Sequence, residues 1–471
     1  MTTIGRRGIL GAVAAGGLAT PGLVAAPGIA SAQGASPYRG QQVRFLTTRN
    51  VHQSALAETM GEIARGWGVD LQTRYITTDQ LQRKVVIDFT GGADTWDLVY
   101  CGGIQRMYEW FAGGIILEMT PYIRDKADPA LLEWDQFTPA ARKAVQFGDK
   151  TLGLTVGTSD QALGYRRDLI EDAEEKAAFQ QRYNYALEPP ATYAQFRDQG
   201  EFFTRRRGQK LAGRTLERDF FGISFSNRKG TFLWHKLENV LMAYGVDIYD
   251  PVTRQAGVNS PQAIAAANYY RSLVPFMPSS HINMSSGESA ADWANGNAAM
   301  TIEYFDRMLN AIERVGPGLS ASSFGFTFPP SVPGAPHGRK HPFRSGPPVV
   351  SLFGRARQPE AAYKLLEAAV TTASQTAMTV KYPGYHPSKQ RAMSALIERQ
   401  PVTGYLLEVA AQGVDAMTDA DIMPYPSILR ASKIGDVMAE AMTAILLGAD
   451  ATVELGKAQR ELTGAFAGLP T

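Results

Sequence analysis

Residues 287–306, GESAADWANGNAAMTIEYFD, compress a helix, a stop, a strand and a polar-aromatic tip into one run, and that order decides the fold class. Ser285 with Glu288 three residues later is a capping box, in which hydroxyl and carboxylate serve the free N–H groups of a new helix. Asn295-Gly296 ends that helix, because glycine supplies the left-handed residue without a Cβ clash. Ala298-Ala299-Met300-Thr301-Ile302 is short and mostly apolar, as a buried strand of an α/β sheet would be. Glu303, Tyr304, Phe305 and Asp306 follow just beyond its carboxyl end, the edge at which open α/β sheets bind ligands.

The same alternation extends toward both termini. Val43-Arg44-Phe45-Leu46 reads as a strand and Thr47 to His52 as a polar loop. Ser54 to Trp67 reads as a helix with Leu56, Met60 and Ile63 on one face, stopped by Gly68. Leu71 to Tyr75 and Trp96 to Tyr100 supply two further strands around a helix that Asp79 can cap, and such alternation implies a mainly parallel sheet. The loops Thr48 to His52 and Tyr100 to Gly103 then converge at one edge. Phe324 to Phe328 alternates and breaks at Pro329-Pro330, as a strand crossing between domains would.

Arg6-Arg7 precedes an uncharged stretch that ends in Ala30-Ser31-Ala32, which reads as an export signal over residues 1–32, cut after Ala32, with the twin arginine pointing to the Tat route. Glycine, alanine, Pro21 and Pro27 dilute the stretch and argue against a permanent anchor. Of 47 basic and 45 acidic residues, removal of 1–32 takes away Arg6 and Arg7 and no acid, so the mature chain is formally neutral. Nucleic acid, which needs a basic face, is not an expected partner, and Arg205-Arg206-Arg207 reads as a solvated loop edge. Cys101 stands alone, so no internal disulfide forms and no cysteine at the cut can take a lipid. No later stretch approaches the roughly 20 apolar residues of a membrane helix, so direct membrane insertion is not expected. The remaining length exceeds one usual core, and two domains are expected in a monomer.

Several segments, in order, carry a resemblance. The opening run resembles the "helix, G-[KN]-x-A-M, strand, aromatic" signature of extracellular solute-binding proteins of ABC importers, in the maltose-binding-protein-like group that carries carbohydrates. Leu152-Gly153-Leu154 through Tyr165-Arg166-Arg167-Asp168-Leu169 resembles the family's crossing segment between lobes, with Thr155 for the usual proline. Pro189-Pro190-Ala191-Thr192-Tyr193-Ala194-Gln195-Phe196 resembles a second-lobe helix start, and the tail from Pro424-Tyr425-Pro426 to Ala458-Gln459 resembles the closing helices. The resemblance implies a two-lobe periplasmic-binding-protein fold, each lobe a central mainly parallel sheet flanked by helices, joined by multiple hinge crossings. It assigns 38–157 plus 330–371 to the first lobe and 158–328 plus 372–471 to the second. It implies capture of a sugar, oligosaccharide or polyol in the periplasm and delivery to the permease subunits of an ABC transporter, with no cofactor, metal or catalysis. The alternatives are an anionic solute such as a glycerophosphodiester, held by Arg49, Arg307 or Arg344, and a secreted carbohydrate-active enzyme.

In such a family the ligand lies between the lobes. A sugar offers an apolar C–H face to aromatic rings and hydroxyls that need partners once water leaves. Thr48, Arg49, Asn50 and His52 are first-lobe candidates because they follow the first strand, although a loop facing water is an equal reading. Ser159 and Asp160 stand where relatives contribute a ligand carboxylate, and Asp160 can equally cap a helix. Tyr304, Phe305 and Asp306 are the strongest candidates. Trp234 lies on a segment with helical spacing and is open to a core reading. Tyr385 and His386 belong to a turn resembling the family's "G-x-x-P-[AST]" cleft edge, and Gly346 stands where relatives place a backbone N–H near the ligand. His337 and His341 are four apart, but Pro336, Gly338 and Pro342 exclude the helix that a two-histidine metal site would need. No G-x-S-x-G elbow, Walker loop or spaced Cys-His pair occurs.

Overall fold

The computed structural model describes residues 36–471 apart from 103, 160, 251, 254, 337–345, 383, 400–430 and 468–471. The expected export signal and its cut, Asp160, Arg344, the His337/His341 pair and the motif at Pro424 lie outside the described residues.

Strand β1 (Gln42–Thr48), helix α1 (Val51–Trp67), strands β2 (Asp70–Ile76) and β3 (Leu98–Tyr100) and helix α2 (Ile104–Ala112) open the chain. Strand β4 (Leu154–Thr155) precedes a crossing to β5 (Gln161–Arg166), β6 (Phe221–Ile223) and helix α3 (Thr231–Ala243). Helix α4 (Ser286–Ala294), strand β7 (Ala298–Tyr304), helix α5 (Phe305–Ile312) and strand β8 (Phe324–Thr327) follow. Strand β9 (Val349–Leu352) returns to the first sheet, and helices α6 (Pro359–Ala369), α7 (Thr372–Lys381), α8 (Ala431–Leu446) and α9 (Ala451–Phe466) come last among those that bear on the site.

The decisive run folds largely as its chemistry dictates. The Ser285–Glu288 capping box forms, with the Ser285 N–H donating to Glu288 at 2.6 Å. Gly296 takes φ +76° behind Asn295. The strand then runs two residues further than expected, burying Glu303 and Tyr304, and Phe305 starts a helix at once. Thr192 likewise caps the helix Tyr193–Phe203 through a capping box with Gln195.

The two sheets correct the expectation of mainly parallel pairing. The first has the order β2-β1-β3-β9-β4, parallel from β2 to β3 and antiparallel at both sides of β9. The second has the order β6-β7-β5-β8, with only β6 and β7 parallel. The reason is the crossing. Parallel neighbours need a crossover helix between them, whereas β9 arrives from the second lobe and β5 from the first, and each enters beside its neighbour in the opposite direction.

Each sheet has its own cores. Leu56, Met60, Leu98, Val350 and Leu366 bury one face of the first sheet, and Val85, Val99 and Trp110 bury the other. In the second lobe one core gathers Tyr165, Leu237 and Met300 with Met442 and Leu455 of α8 and α9, and another surrounds Trp293, Phe324 and Phe326. One boundary differs from the expected division. Helix α7 rests on α1 and α6, Met378 and Tyr385 bury Ala55, and the Lys389 ammonium donates to the Leu132 carbonyl at 2.5 Å. Residues 372–389 therefore lie with the first lobe, tied there by buried contacts that local sequence does not reveal. No helix among the described residues is long and apolar enough to cross a membrane.

Candidate functional site

The carboxyl end of β1 and the carboxyl end of β7 face each other across the first crossing segment. That segment is squeezed. A Cβ on Gly157 would stand 2.4 Å from His52 Cδ2 and 2.8 Å from the His386 carbonyl oxygen, so only glycine fits. Around it the Thr158 N–H donates to His386 O at 2.9 Å, and the Tyr385 hydroxyl donates to Val156 O at 2.9 Å. The His386 N–H donates to His52 Nε2 at 3.3 Å. An accepting Nε2 requires a neutral imidazole. Burial does push His52 down to about 3, with the Arg307 charge adding to the effect. His386 is lowered to about 4 by burial, against the opposing pull of Asp306.

From the second lobe, Asp306 accepts from the Ser159 hydroxyl at 2.9 Å. Its carboxyl is raised by burial, with Arg307 and His386 acting in the other direction. The Arg307 guanidinium lies over the Tyr304 ring at 4.6 Å and the Phe232 ring at 5.7 Å, and the Tyr304 hydroxyl shares a hydrogen bond with His235 Nδ1 at 2.7 Å. Beneath the tip, Glu303 is wholly buried. It accepts from the Lys236 ammonium at 2.9 Å, the Ser226 hydroxyl at 3.1 Å, the Tyr304 N–H at 2.9 Å and the Ser286 hydroxyl. This network fixes the tip that carries Asp306 and Arg307.

Between these two edges lie buried polar atoms with no hydrogen-bond partner among the described residues. They are Thr48 Oγ1, the amide oxygen of Gln53, Thr158 Oγ1, Gln161 Nε2, Asn239 Oδ1 and Arg307 Nη1. Each such atom left dry and unpaired costs about 1–3 kcal/mol, and others occur elsewhere, among them Thr47, Tyr183, Tyr193, Gln199, Trp293, Asn297, Thr372 and Tyr382. Thr48, Thr158 and Gln161 stand at strand ends or on the crossing segment, and Gln53, Asn239 and Arg307 on helices α1, α3 and α5, where a bound solute can satisfy them together. The Gln53 amide approaches the Tyr100 hydroxyl, and that hydroxyl donates to Gly102 O at 3.2 Å.

Several expected contacts are differently engaged. Trp234 is buried in the second-lobe core, where Gly435 of α8 leaves room for its indole. Phe305 is wedged between His386 and Phe326, each at 4.9 Å, and closes the junction of the lobes without offering an open face. Tyr304 has its ring under Arg307. Tyr385 spends its hydroxyl on the crossing segment, and the Gly346 N–H donates to Ser159 O at 2.8 Å. Asn50 caps α1, accepting from the Gln53 N–H at 3.1 Å. Arg49 is exposed and stacks on Tyr75 at 4.6 Å. His52, Ser159, Asp306 and His386 do come together. Sequence reasoning omitted Gln53, Tyr100, Gln161 and Asn239. The signal for Gln53 was available, since it is a polar residue on the face of α1 that also carries Leu56 and Met60, one turn inside the cap. Among the described residues no group of three or more His, Cys, Asp or Glu side chains could hold a metal ion.

The comparisons agree with this geometry. The chain is similar to an ABC transporter solute-binding protein from Agrobacterium radiobacter K84, solved in complex with ribitol. Identity is 19%, with 91% of this chain and all of that one covered and a TM-score of 0.72. It is also similar to maltose-bound MalE3 of T. maritima, at 15% identity, with 90% of this chain and 99% of that one covered and a TM-score of 0.71. A third similar structure is a solute-binding protein from Agrobacterium vitis S4 with bound D-mannitol, at 14% identity, 92% and 100% coverage and a TM-score of 0.70. At these identities the likeness shows the two-lobe fold. No curated protein sequence matches. The family model described as "Bacterial extracellular solute-binding protein" matches residues 55–376, well over half of the chain, and this protein therefore belongs to the bacterial extracellular solute-binding proteins.

Proposed function

We propose that the protein captures a sugar or polyol between its lobes and delivers it to the permease subunits of an ABC importer. The observation that carries this reading is the gathering of buried, unpartnered amide, hydroxyl and guanidinium groups where the lobes meet. A polyhydroxylated solute supplies both donors and acceptors to such groups, and closure around it excludes water. Similar folds hold ribitol, maltose and D-mannitol, which supports the same ligand class. Function then consists of a shift between open and closed populations, driven by the ligand's preference for the closed form. Family membership supports an exported binding protein without catalysis, and the twin-arginine segment supports Tat export to the periplasm, with cleavage after Ala32. A thermal-shift screen over sugars, polyols and phosphoesters tests the reading. A ligand at 100 times its Kd stabilises by about 2.7 kcal/mol, so a sugar or polyol should raise the melting temperature by several degrees. Chemical conversion of the bound sugar would instead establish an enzyme.

A further inference from the structure

The lobes also meet at a contact that involves neither the crossing segment nor β9. Glu109 of α2, in the first lobe, accepts from the Ser432 backbone N–H at 3.2 Å and from the Ser432 hydroxyl at 2.7 Å. Ser432 is the second residue of α8, in the second lobe. The first N–H groups of a helix have no partner within it and form the positive end of its dipole, so a carboxylate set there is both bonded and attracted. The contact is a helix cap whose acid comes from the other lobe, 323 residues away in the chain.

Its surroundings show that it bridges two bodies. Met107, Tyr108 and Trp110, beside Glu109, are buried in a first-lobe core, and Ile434, Val437 and Met438, beyond Ser432, in the second-lobe core. Among the described residues no buried apolar cluster joins α2 to α8. A crevice of about 350 Å³ opens there instead, lined by Glu109, Ser432, Lys433, Asp436 and Ala465. Lys433 is engaged by Glu461 at 2.6 Å, and Asp436 adds a charge of the same sign as Glu109. Apolar area buried across the boundary would weld the lobes, whereas a polar contact beside open space can be broken and remade.

We propose that Glu109 is a latch, which caps α8 across the lobe boundary and so sets the share of ligand-free protein that is closed. The latch rests on the capture reading for its purpose, but it acts without a solute. A contact made only in the closed form shifts the closed-to-open ratio by its own strength, and it slows release of whatever the cleft holds. Spin labels on Ile87→Cys in the first lobe and Leu447→Cys in the second, both exposed positions, report the separation of the lobes in the purified ligand-free chain, and the buried Cys101 stays unlabelled. Glu109→Ala should move the ratio about tenfold toward open, and Glu109→Gln, which keeps an acceptor without the charge, should move it less. Hydrogen exchange at the start of α8 gives a second reading, because the Ser432 N–H has no partner within its helix. It should be protected in the parent and exchange fast in Glu109→Ala. Equal distance distributions in the parent and both variants would overturn the latch, as would fast exchange of the Ser432 N–H in the parent. Failure of every sugar, polyol and phosphoester in the thermal screen would overturn the capture reading and leave the latch standing.

Discussion

The two tips that meet at the cleft are built by the same device, a strand running straight into a helix, but they are held differently. In the first lobe, Thr48 to Gln53 is tied by the Asn50 cap, by His52 accepting from the His386 N–H and by Arg49 on Tyr75, and it leaves the Thr48 hydroxyl and the Gln53 amide oxygen without partners. In the second, Glu303 to Arg307 is fastened by a buried ion pair, the Tyr304–His235 bond, the Ser159–Asp306 bond and the wedge of Phe305. One tip is fixed before ligand arrives; the other keeps its hydrogen-bonding capacity for the ligand. Preorganising one side lowers the ordering cost of binding, while groups left unpaired on the other side reward closure only when a complementary solute is present.

The largest way to break this contrast is Lys236→Ala. It strands Glu303 as a buried charge, and such a loss costs about 3–5 kcal/mol, which urea unfolding should show. A loss below about 1 kcal/mol would mean that the ion pair does not fix the second tip.

Acidification probes the boundary between the tips. His52 and His386 have folded values far below the ordinary 6.5, so the stability that their neutral burial carries is fully present above pH 6.5 and is lost as pH falls toward about 4 and then about 3. Each should remove about 2 kcal/mol between pH 7 and pH 5. Asp306, raised by burial, acts in the opposite sense, since the folded state takes up its proton more readily than the unfolded one and gains stability as pH falls. Melting temperatures across this range, compared with His52→Gln and His386→Gln variants, should show a shallower decline in each variant. An unchanged slope would place the acid sensitivity elsewhere.

Gln53→Leu sharpens the comparison. Removing a buried amide whose oxygen has no partner should leave ligand-free stability within about 1 kcal/mol of the parent while ligand affinity falls. A larger loss of stability would mean that the Gln53 amide is held firmly in the unliganded protein and that the first tip is not held in reserve. Arg49→Ala should do least. An exposed arginine stacked on Tyr75 contributes about 0.5–1 kcal/mol, and affinity should be unchanged. A marked loss of affinity would move the site outward along β1.

Local chemistry made the second tip legible. Ser285, Glu288 and Gly296 act through neighbours three or four residues away, so α4, its stop and the start of β7 could be read from the chain alone. Non-local burial was not legible. Nothing in the helical spacing around Trp234 says that Gly435 leaves space for an indole, and nothing near Phe305 announces His386 or Phe326 on either side. The antiparallel entry of β9 and the docking of α7 on α1 depend on which lobe the chain is leaving, a fact that strand patterns do not contain. Gln53 was hidden by its company, since an amide on an apolar helical face reads as incidental until its oxygen is found buried without a partner.

The place of β9 between β3 and β4 has a consequence for the order in which the protein can be made. A ribosome releases β3 some 250 residues before the strand that covers its edge, as the Ser351–Val99 pairing shows. Until Val349–Leu352 emerges, β3 offers an open row of backbone donors and acceptors, the kind of edge that recruits other chains. The whole second-lobe sheet, through β8, is synthesised during that interval. Truncated products ending before residue 349 should therefore aggregate, and the first sheet should be completed only after every strand of the second has been made.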